Sequence, residues 1–112
     1  MQHTSDPFQA IADPNRREIL QLLKKNSLTV NALAGNFDMS RPAVSRHIKI
    51  LYSAGFILIE DAGRERRCSL KKTGFNEVQE WIEHFDKFWN QKLDSLGKYL
   101  NKDLSKHKPL KK

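Results

Sequence analysis

The segment 40–53 carries the side chains whose types and spacing are best suited to binding a polyanion. At 100° per residue on a helix, Val44, Ile48 and Leu51 form one buried stripe. The other side presents cations and hydroxyls, and the segment contains no acidic residue. Guanidinium groups bind guanine edges or phosphates, hydroxyls donate to either, and lysine adds a point charge. The residues predicted to contact nucleic acid here are Ser40, Arg41, Pro42, Ser45, Arg46, His47 and Lys49.

Two points about this helix stay open at the level of sequence. A basic face can be an ordinary solvated surface, although solvated helix faces normally mix charge signs and this one does not. His47 lies near the edge of the apolar stripe. It can therefore be packed within the protein, or it can contact a phosphate.

A second basic cluster follows Gly63, where Arg64, Arg66 and Arg67 surround a turn. Arginines at a hairpin tip can reach a minor groove or the flanking phosphates, and charge on a strand can also protect a sheet edge from aggregation. Arg64 is expected at the tip, and strand alternation sends Arg66 and Arg67 to opposite faces. The hairpin is predicted to consist of strands at 56–60 and 66–70 and a turn at 61–63.

Capping residues and helix breakers divide the rest of the chain into helices. The predicted helices are 7–12, 14–25, a short one capped by Thr29 and ending at Gly35, one capped by Ser40 and ending at Ser53, and one capped by Thr73 and running to about Leu100. The fold class is therefore mainly α with a small β hairpin, in the order of a helix-turn-helix followed by a wing. We expect residues 1–5 to be flexible, 6–100 to form one domain, and the Lys-rich 101–112 to be a disordered tail.

The last helix has a long apolar stripe, since apolar residues recur at helical spacing from Phe75 to Leu100. A helix of this length spans roughly 39 Å, and so small a domain cannot cover all of it. The economical arrangement is a symmetric homodimer, while the alternatives are an effector pocket or simple core packing. The predicted dimer contacts are Phe8, Ile11, Ile82, Phe85, Trp89, Leu93 and Leu96.

The composition of the whole chain limits its class of function. A net charge of +7 points toward polyanionic partners, and between residues 41 and 72 eight cations outnumber three anions. No apolar run approaches the roughly 20 residues of a membrane span, and no signal peptide is recognisable, so we expect a cytoplasmic protein with no membrane partner. The sequence has no nucleophile–base–acid set and no Gly-rich phosphate loop, so we expect neither enzyme activity nor a cofactor.

The sequence contains two candidate sensor sites, one for a metal ion and one for redox state. Glu80 and His84 lie one helical turn apart, which is the spacing of a pair of metal ligands, but a metal needs further converging groups. Cys68, the single cysteine, follows two arginines that could lower the pKa of its thiol and make it redox-responsive. A winged helix that binds another protein rather than nucleic acid is the remaining alternative.

Five segments together resemble those of one protein family. They are Ala12-Asp13-Pro14-Asn15-Arg16-Arg17-Glu18-Ile19-Leu20 followed by Leu22-Leu23, Leu28-Thr29-Val30-Asn31-Ala32-Leu33-Ala34, Met39-Ser40-Arg41-Pro42-Ala43-Val44-Ser45-Arg46-His47-Ile48-Lys49-Ile50-Leu51, Ala54-Gly55-Phe56-Ile57 and Gly63-Arg64-Glu65-Arg66-Arg67. They resemble the opening helix, the helix-turn-helix and the wing of ArsR-family winged-helix repressors.

The resemblance implies a dimeric bacterial transcriptional repressor that binds an inverted repeat in double-stranded DNA. The family's recognition helix enters the major groove, which corresponds here to Ser40, Arg41, Ser45 and Arg46. Lys49 would bind phosphate, and Thr29 and Asn31 would contact the DNA backbone. The family's metal sensors carry a cysteine motif on the preceding helix, where this chain has none, or sets of Asp and His on the last helix, where this chain has Glu80, Glu83 and His84. The sequence therefore resembles the metal-independent branch, and its inducer is not evident.

Overall fold

The computed structural model describes residues 6–103, and side chains as far as residue 100. Its elements are α1 (Pro7–Ala10), α2 (Pro14–Lys25), β1 (Leu28–Thr29), α3 (Val30–Ala34), α4 (Arg41–Ser53), β2 (Ile57–Ala62), β3 (Glu65–Leu70) and α5 (Lys72–Asp103). The fold is a mainly helical winged helix-turn-helix, in which α3 and α4 are followed by the β2–β3 hairpin. The chain divides into two compact units, the first of which ends at Val78 and the second of which begins at Gln79. We call the first the winged-helix unit.

Side-chain caps start the first four helices where the sequence predicts. Each capping oxygen accepts a hydrogen bond from a backbone N–H in the first turn, which satisfies a donor that has no partner within the helix. The donors lie 3.0 Å from Asp6, 2.7 Å from Asp13, 3.0 Å from Thr29 and 3.3 Å from Ser40. The first helix ends at Ala10, earlier than the predicted 12.

The predicted two-stranded hairpin is incomplete, because the sheet has three antiparallel strands in the order β1-β3-β2. In the extra strand, Leu28 pairs with Cys68 and Thr29 pairs with Arg67. A strand of two residues shows no alternation, and its partner lies far along the chain. Thr29 also caps α3, so one residue ends a strand and starts a helix.

The hairpin turn is shorter than predicted and lies later in the chain, at 63–64 instead of 61–63. Ala62 pairs with Glu65, so the loop consists of Gly63 and Arg64 alone. Gly63 has φ 69°, a left-handed value that glycine adopts without a steric penalty. This geometry places Arg64 in the loop itself.

The core centres on Phe56, which is fully buried, and every buried side chain among the described residues is apolar. The ring of Phe75 meets that of Phe56 edge to face, with centroids 4.8 Å apart. At Gly74 the backbone N–H donates to Gly55 O over 2.8 Å. A Cβ on Gly74 would lie only 2.9 Å from Ala54 O and from the Phe56 ring. Glycine therefore permits the first turn of α5 to pack against the end of α4.

The start of α5 differs from the prediction. The helix begins at Lys72, so Thr73 lies inside it rather than capping it. The helix continues to Asp103, three residues past the predicted end, and the rest of the predicted tail lies outside the described residues, as do 1–5. Within the described range, no helix is long and apolar enough to cross a membrane.

Candidate nucleic-acid interface

A cavity of about 130 Å³ lies where α3 begins, beside α4 and the tip of the wing. It brings together five of the residues predicted to bind nucleic acid, from three separate elements. Its lining residues are Val30, Asn31, Arg41, Ser45, Arg64, Glu65 and Arg66. Since only one of the four charged side chains is acidic, the cavity suits an anion.

A second cavity, of about 280 Å³, continues along α4 toward its C-terminal half. It shares Val30, Ser45 and Arg66 with the first and adds Lys49 and Tyr52. We call the two together the basic groove. The groove is a single surface in which the outward side of α4 and one face of β3 present cations to the same space.

The remaining residues predicted on α4 lie beside the groove rather than in it. Pro42 and Arg46 are exposed and line neither cavity. Ser40 and Thr29 use their hydroxyl oxygens to cap α4 and α3. Each hydroxyl still carries a proton that it can donate to a phosphate oxygen.

Arg66 and Arg67 have different surroundings on the two faces of β3. Arg66 lines both cavities of the groove. The Arg67 guanidinium instead donates to Ser27 O over 3.0 Å and to Ser27 Oγ over 3.2 Å. Arg67 therefore ties the wing to the segment that leads into β1, a role that sequence reasoning did not assign to it.

His47 is half-buried, and its Nδ1 lies 3.1 Å from the Arg16 guanidinium of α2. The structure thus supports the packed alternative for at least one edge of the ring. The Arg16 partner was missed by sequence reasoning, because its contact depends on how α2 crosses α4.

Two further residues of the groove were also missed. Glu65 is an acid among the arginines of the wing, and Tyr52 is 53% exposed beside Lys49. The helical spacing of Ser45, Lys49 and Tyr52 could have indicated that Tyr52 belongs to this face. Nothing in the sequence indicates that the Glu65 side chain lies in the groove.

Comparison with known proteins decides the class. The model of the bacterial regulatory protein arsR family matches residues 13–57. The HTH-type transcriptional regulator Rv2034 of Mycobacterium tuberculosis is 33% identical over 96 residues, covering 86% of this chain and 87% of that protein. The chain belongs to the ArsR family. The resemblance predicted from the five segments is confirmed at the level of the family, and the class is one of DNA-binding transcriptional regulators and repressors, not of enzymes.

Three further proteins are similar to this chain in sequence or in structure. The transcriptional repressor SdpR of Bacillus subtilis is 37% identical over 78 residues, covering 70% of this chain and 87% of its own length. The crystal structure of the ArsR family transcriptional regulator RHA00566 has a TM-score of 0.70 at 38% identity, covering 75% of this chain and 87% of that one. The homodimeric winged helix-turn-helix domain Mb0332 of Mycobacterium bovis has a TM-score of 0.58 at 20% identity, covering 72% of this chain and 75% of that one, and shares the fold.

The structure shows the surroundings of the two candidate sensor sites, Cys68 and the pair Glu80 and His84. Burial raises the pKa of the Cys68 thiol, and the nearby Arg66 lowers it by less, so the net direction is opposite to the predicted one. Glu80 and His84 line a shallow cavity with Glu83 and Lys87. Within the described residues, no three His, Cys, Asp or Glu side chains converge as metal ligands would.

The residues predicted to form the dimer interface differ in exposure between the N-terminal part of the chain and α5. Phe8 on α1 is 38% exposed, whereas Ile11, which follows α1, packs against the core of its own chain. On α5, the predicted contacts are all exposed, from 45% for Ile82 to 59% for Leu93. The exposed apolar face, defined here as Ile82, Phe85, Trp89, Leu93 and Leu96, lies on one side of the helix.

Proposed function

We propose that this ArsR-family protein represses transcription as a homodimer that binds an inverted-repeat operator. The observation that carries the proposal is the basic groove, where α4 and the wing present Arg41, Lys49, Arg64 and Arg66 to one space. Guanidinium groups fork onto guanine edges and phosphates, and the negative potential of a narrow minor groove attracts arginine. The recognition helix α4 would enter the major groove, with the wing against the adjacent backbone.

Individual roles follow from position. Arg46 and Pro42 are exposed on α4 beside the groove, so Arg46 is the candidate for reading a base. Lys49 lines only the second cavity, further along α4, and suits a phosphate contact. Asn31 lines the first cavity with Arg64 and suits a phosphate contact there. Ser40 and Thr29 sit at helix N-termini, where hydroxyl and backbone N–H groups favour a phosphate.

The homodimer is supported by the exposed apolar face of α5. Its residues recur every three or four positions, which matches one side of a helix packed against another helix. An apolar face of this size is costly to leave in water. The relative Mb0332 is described as homodimeric. A dimer of this kind would place its two α4 helices in successive major grooves about 10 bp apart, or one turn more.

We also propose that DNA binding is independent of metal and of redox state. The chain lacks a cysteine on α3, and the Lys87 ammonium shares the cavity of Glu80 and His84 and would repel a cation. Cys68 is fully buried, which keeps its thiol protonated and away from oxidants.

The test is a mobility-shift measurement on the DNA upstream of the protein's own gene, with shuffled DNA of equal length as the control. We expect tighter binding to the upstream DNA and a fall in log K with log salt of about −0.9 per neutralised phosphate. A chelator and a reductant should change neither result. Equally weak binding to both DNAs with a shallow salt dependence would contradict the proposal and favour a winged helix that binds protein.

A further inference from the structure

One guanidinium connects three helices of the winged-helix unit. Arg16, in the first turn of α2, donates from Nε to Ala10 O over 2.6 Å and from an Nη to Gln9 O over 3.2 Å. Its other Nη lies 3.1 Å from Nδ1 of His47, in the middle of α4. The last carbonyls of α1 and the recognition helix are thus joined through a single side chain.

The neighbouring Arg17 makes the first half of this arrangement without the second. Its guanidinium donates to Ile11 O over 2.9 Å and to Ala12 O over 3.1 Å, in the turn between α1 and α2. Within the described residues, none of its hydrogen bonds reaches α4. Both arginines therefore bind backbone carbonyls at the end of α1 or just after it, and only Arg16 of the two also contacts α4.

The chemistry of the two groups fixes the state of His47. A guanidinium has only donors and does not lose its proton in proteins, so Nδ1 of His47 must be the acceptor. An imidazole that accepts at Nδ1 is neutral and carries its proton on Nε2. Protonation would turn Nδ1 into a donor facing another donor, and would place two cations 3.1 Å apart.

We propose that Arg16 is a positioning residue for DNA binding, which holds α4 against α1 through a neutral His47 and releases it when His47 is protonated. The inference rests on the proposed function, because it takes α4 as the helix that enters DNA. If α4 is held in this way, operator binding is sensitive to mild acid through the contact between Arg16 and His47, which lies outside the basic groove.

The charged groups near His47 come from the start of α2 and from α4. Arg16 and the capping residue Asp13 face it from α2, α1 contributes the backbone carbonyls bound by Arg16, and Arg46 is adjacent on α4. Burial raises the pKa of Asp13, but hydrogen bonds from the Arg16 and Asn15 amides and the charge of the Arg16 guanidinium hold it below its usual value of 3.8. Asp13 therefore stays ionised in mild acid, so its charge is the same at both pH values of the test below.

The first arm of the test uses no DNA. Long-range ¹H–¹⁵N spectra of the full chain report which imidazole nitrogen carries the proton. We expect His47 to show the neutral form with the proton on Nε2, and we expect Arg16→Gln to lose this preference while Arg17→Gln keeps it. A proton on Nδ1, or a doubly protonated ring at neutral pH, would overturn the inference whatever the protein does with DNA.

The second arm compares operator affinity at about pH 7.5 and about pH 5.5, a range in which histidine is the side chain that titrates. The wild type and Arg17→Gln should each lose about fivefold in affinity at the lower pH, the equivalent of one hydrogen bond. Arg16→Gln should already be weaker at the higher pH and should change little between the two.

His47→Asn is a second variant for this arm. Its amide oxygen can accept from Arg16 but does not titrate, so we expect a flat pH profile. If Arg16→Gln and the wild type have the same profile, the inference fails while the proposed function stands. If no variant binds DNA at either pH, the proposed function fails, and the tautomer measurement still decides whether Arg16 and His47 are joined.

Discussion

Arg66 and Arg67 show how the surroundings of a side chain, rather than its type, set its role. Arg66 lines the basic groove, whereas Arg67 is bonded to Ser27. We expect Arg66→Ala to lower operator affinity by about 1–3 kcal/mol, as for the loss of an arginine that contacts DNA, with little change in stability. Arg67→Ala should instead lower the free energy of unfolding by about 0.5–1.5 kcal/mol. Mobility shifts and urea denaturation of both variants check this, and equal effects of the two on affinity would contradict it.

At the scale of the residue, the sequence predicts faces better than partners. Alternation along β3 correctly separates Arg66 from Arg67, since successive strand residues point to opposite faces. It does not say which face meets α4, because that depends on tertiary packing. The same limit explains Cys68, where neighbouring arginines suggest a lowered pKa but burial outweighs them.

At the scale of the element, local chemistry made the bounds of α2 and α4 predictable. Asp13 and Ser40 have a proline within the next two positions, and both cap helices whose bounds agree with prediction. The first strand could not be predicted in this way. Leu28 and Thr29 become a strand only by pairing with β3, so their state is decided by tertiary structure.

Gly74 provides a test of how the first turn of α5 packs inside the winged-helix unit. In Gly74→Ala, the new Cβ would lie 2.9 Å from both Ala54 O and the Phe56 ring. We expect this overpacking to lower the free energy of unfolding by about 1–3 kcal/mol. Gly97→Ala is the matched control, because a Cβ there meets no atom within 4 Å. The control should be neutral or stabilising by up to about 1 kcal/mol, the helix preference of alanine over glycine. Urea denaturation measures both, and a stable Gly74→Ala would show that the contact can relax.

At the scale of the whole molecule, charge and apolar surface are separated along the chain. The basic groove belongs to the unit that ends at Val78, and the exposed apolar face belongs to the unit that begins at Gln79. The family, the basic face of α4 and the apolar stripe of α5 could all be inferred from the sequence. Which wing residues share a groove with α4 could not, because the shared space is created by the crossing of three elements.

The exposed apolar face gives a prediction for the assembly. Leu93 is 59% exposed on that face, and we expect Leu93→Glu to convert a homodimer into a monomer because a carboxylate is costly to bury in an apolar interface. Operator affinity should fall with it. Gln91→Glu adds the same charge on the opposite side of the helix and should leave the dimer intact. Sedimentation measures the mass of each variant, and an unchanged dimer in Leu93→Glu would move the interface elsewhere.

The double use of Thr29 has a consequence for how the molecule comes apart. Its backbone belongs to the strand that pairs with the wing at Arg67, while its hydroxyl oxygen holds the N–H of Ala32 at the start of α3. The wing therefore cannot separate from β1 without disturbing Thr29, the residue that caps α3. We expect the amides of β3 that face β1 and those of α3 to exchange with solvent through one shared opening event, so that the hairpin and the helix-turn-helix behave as a single cooperative unit.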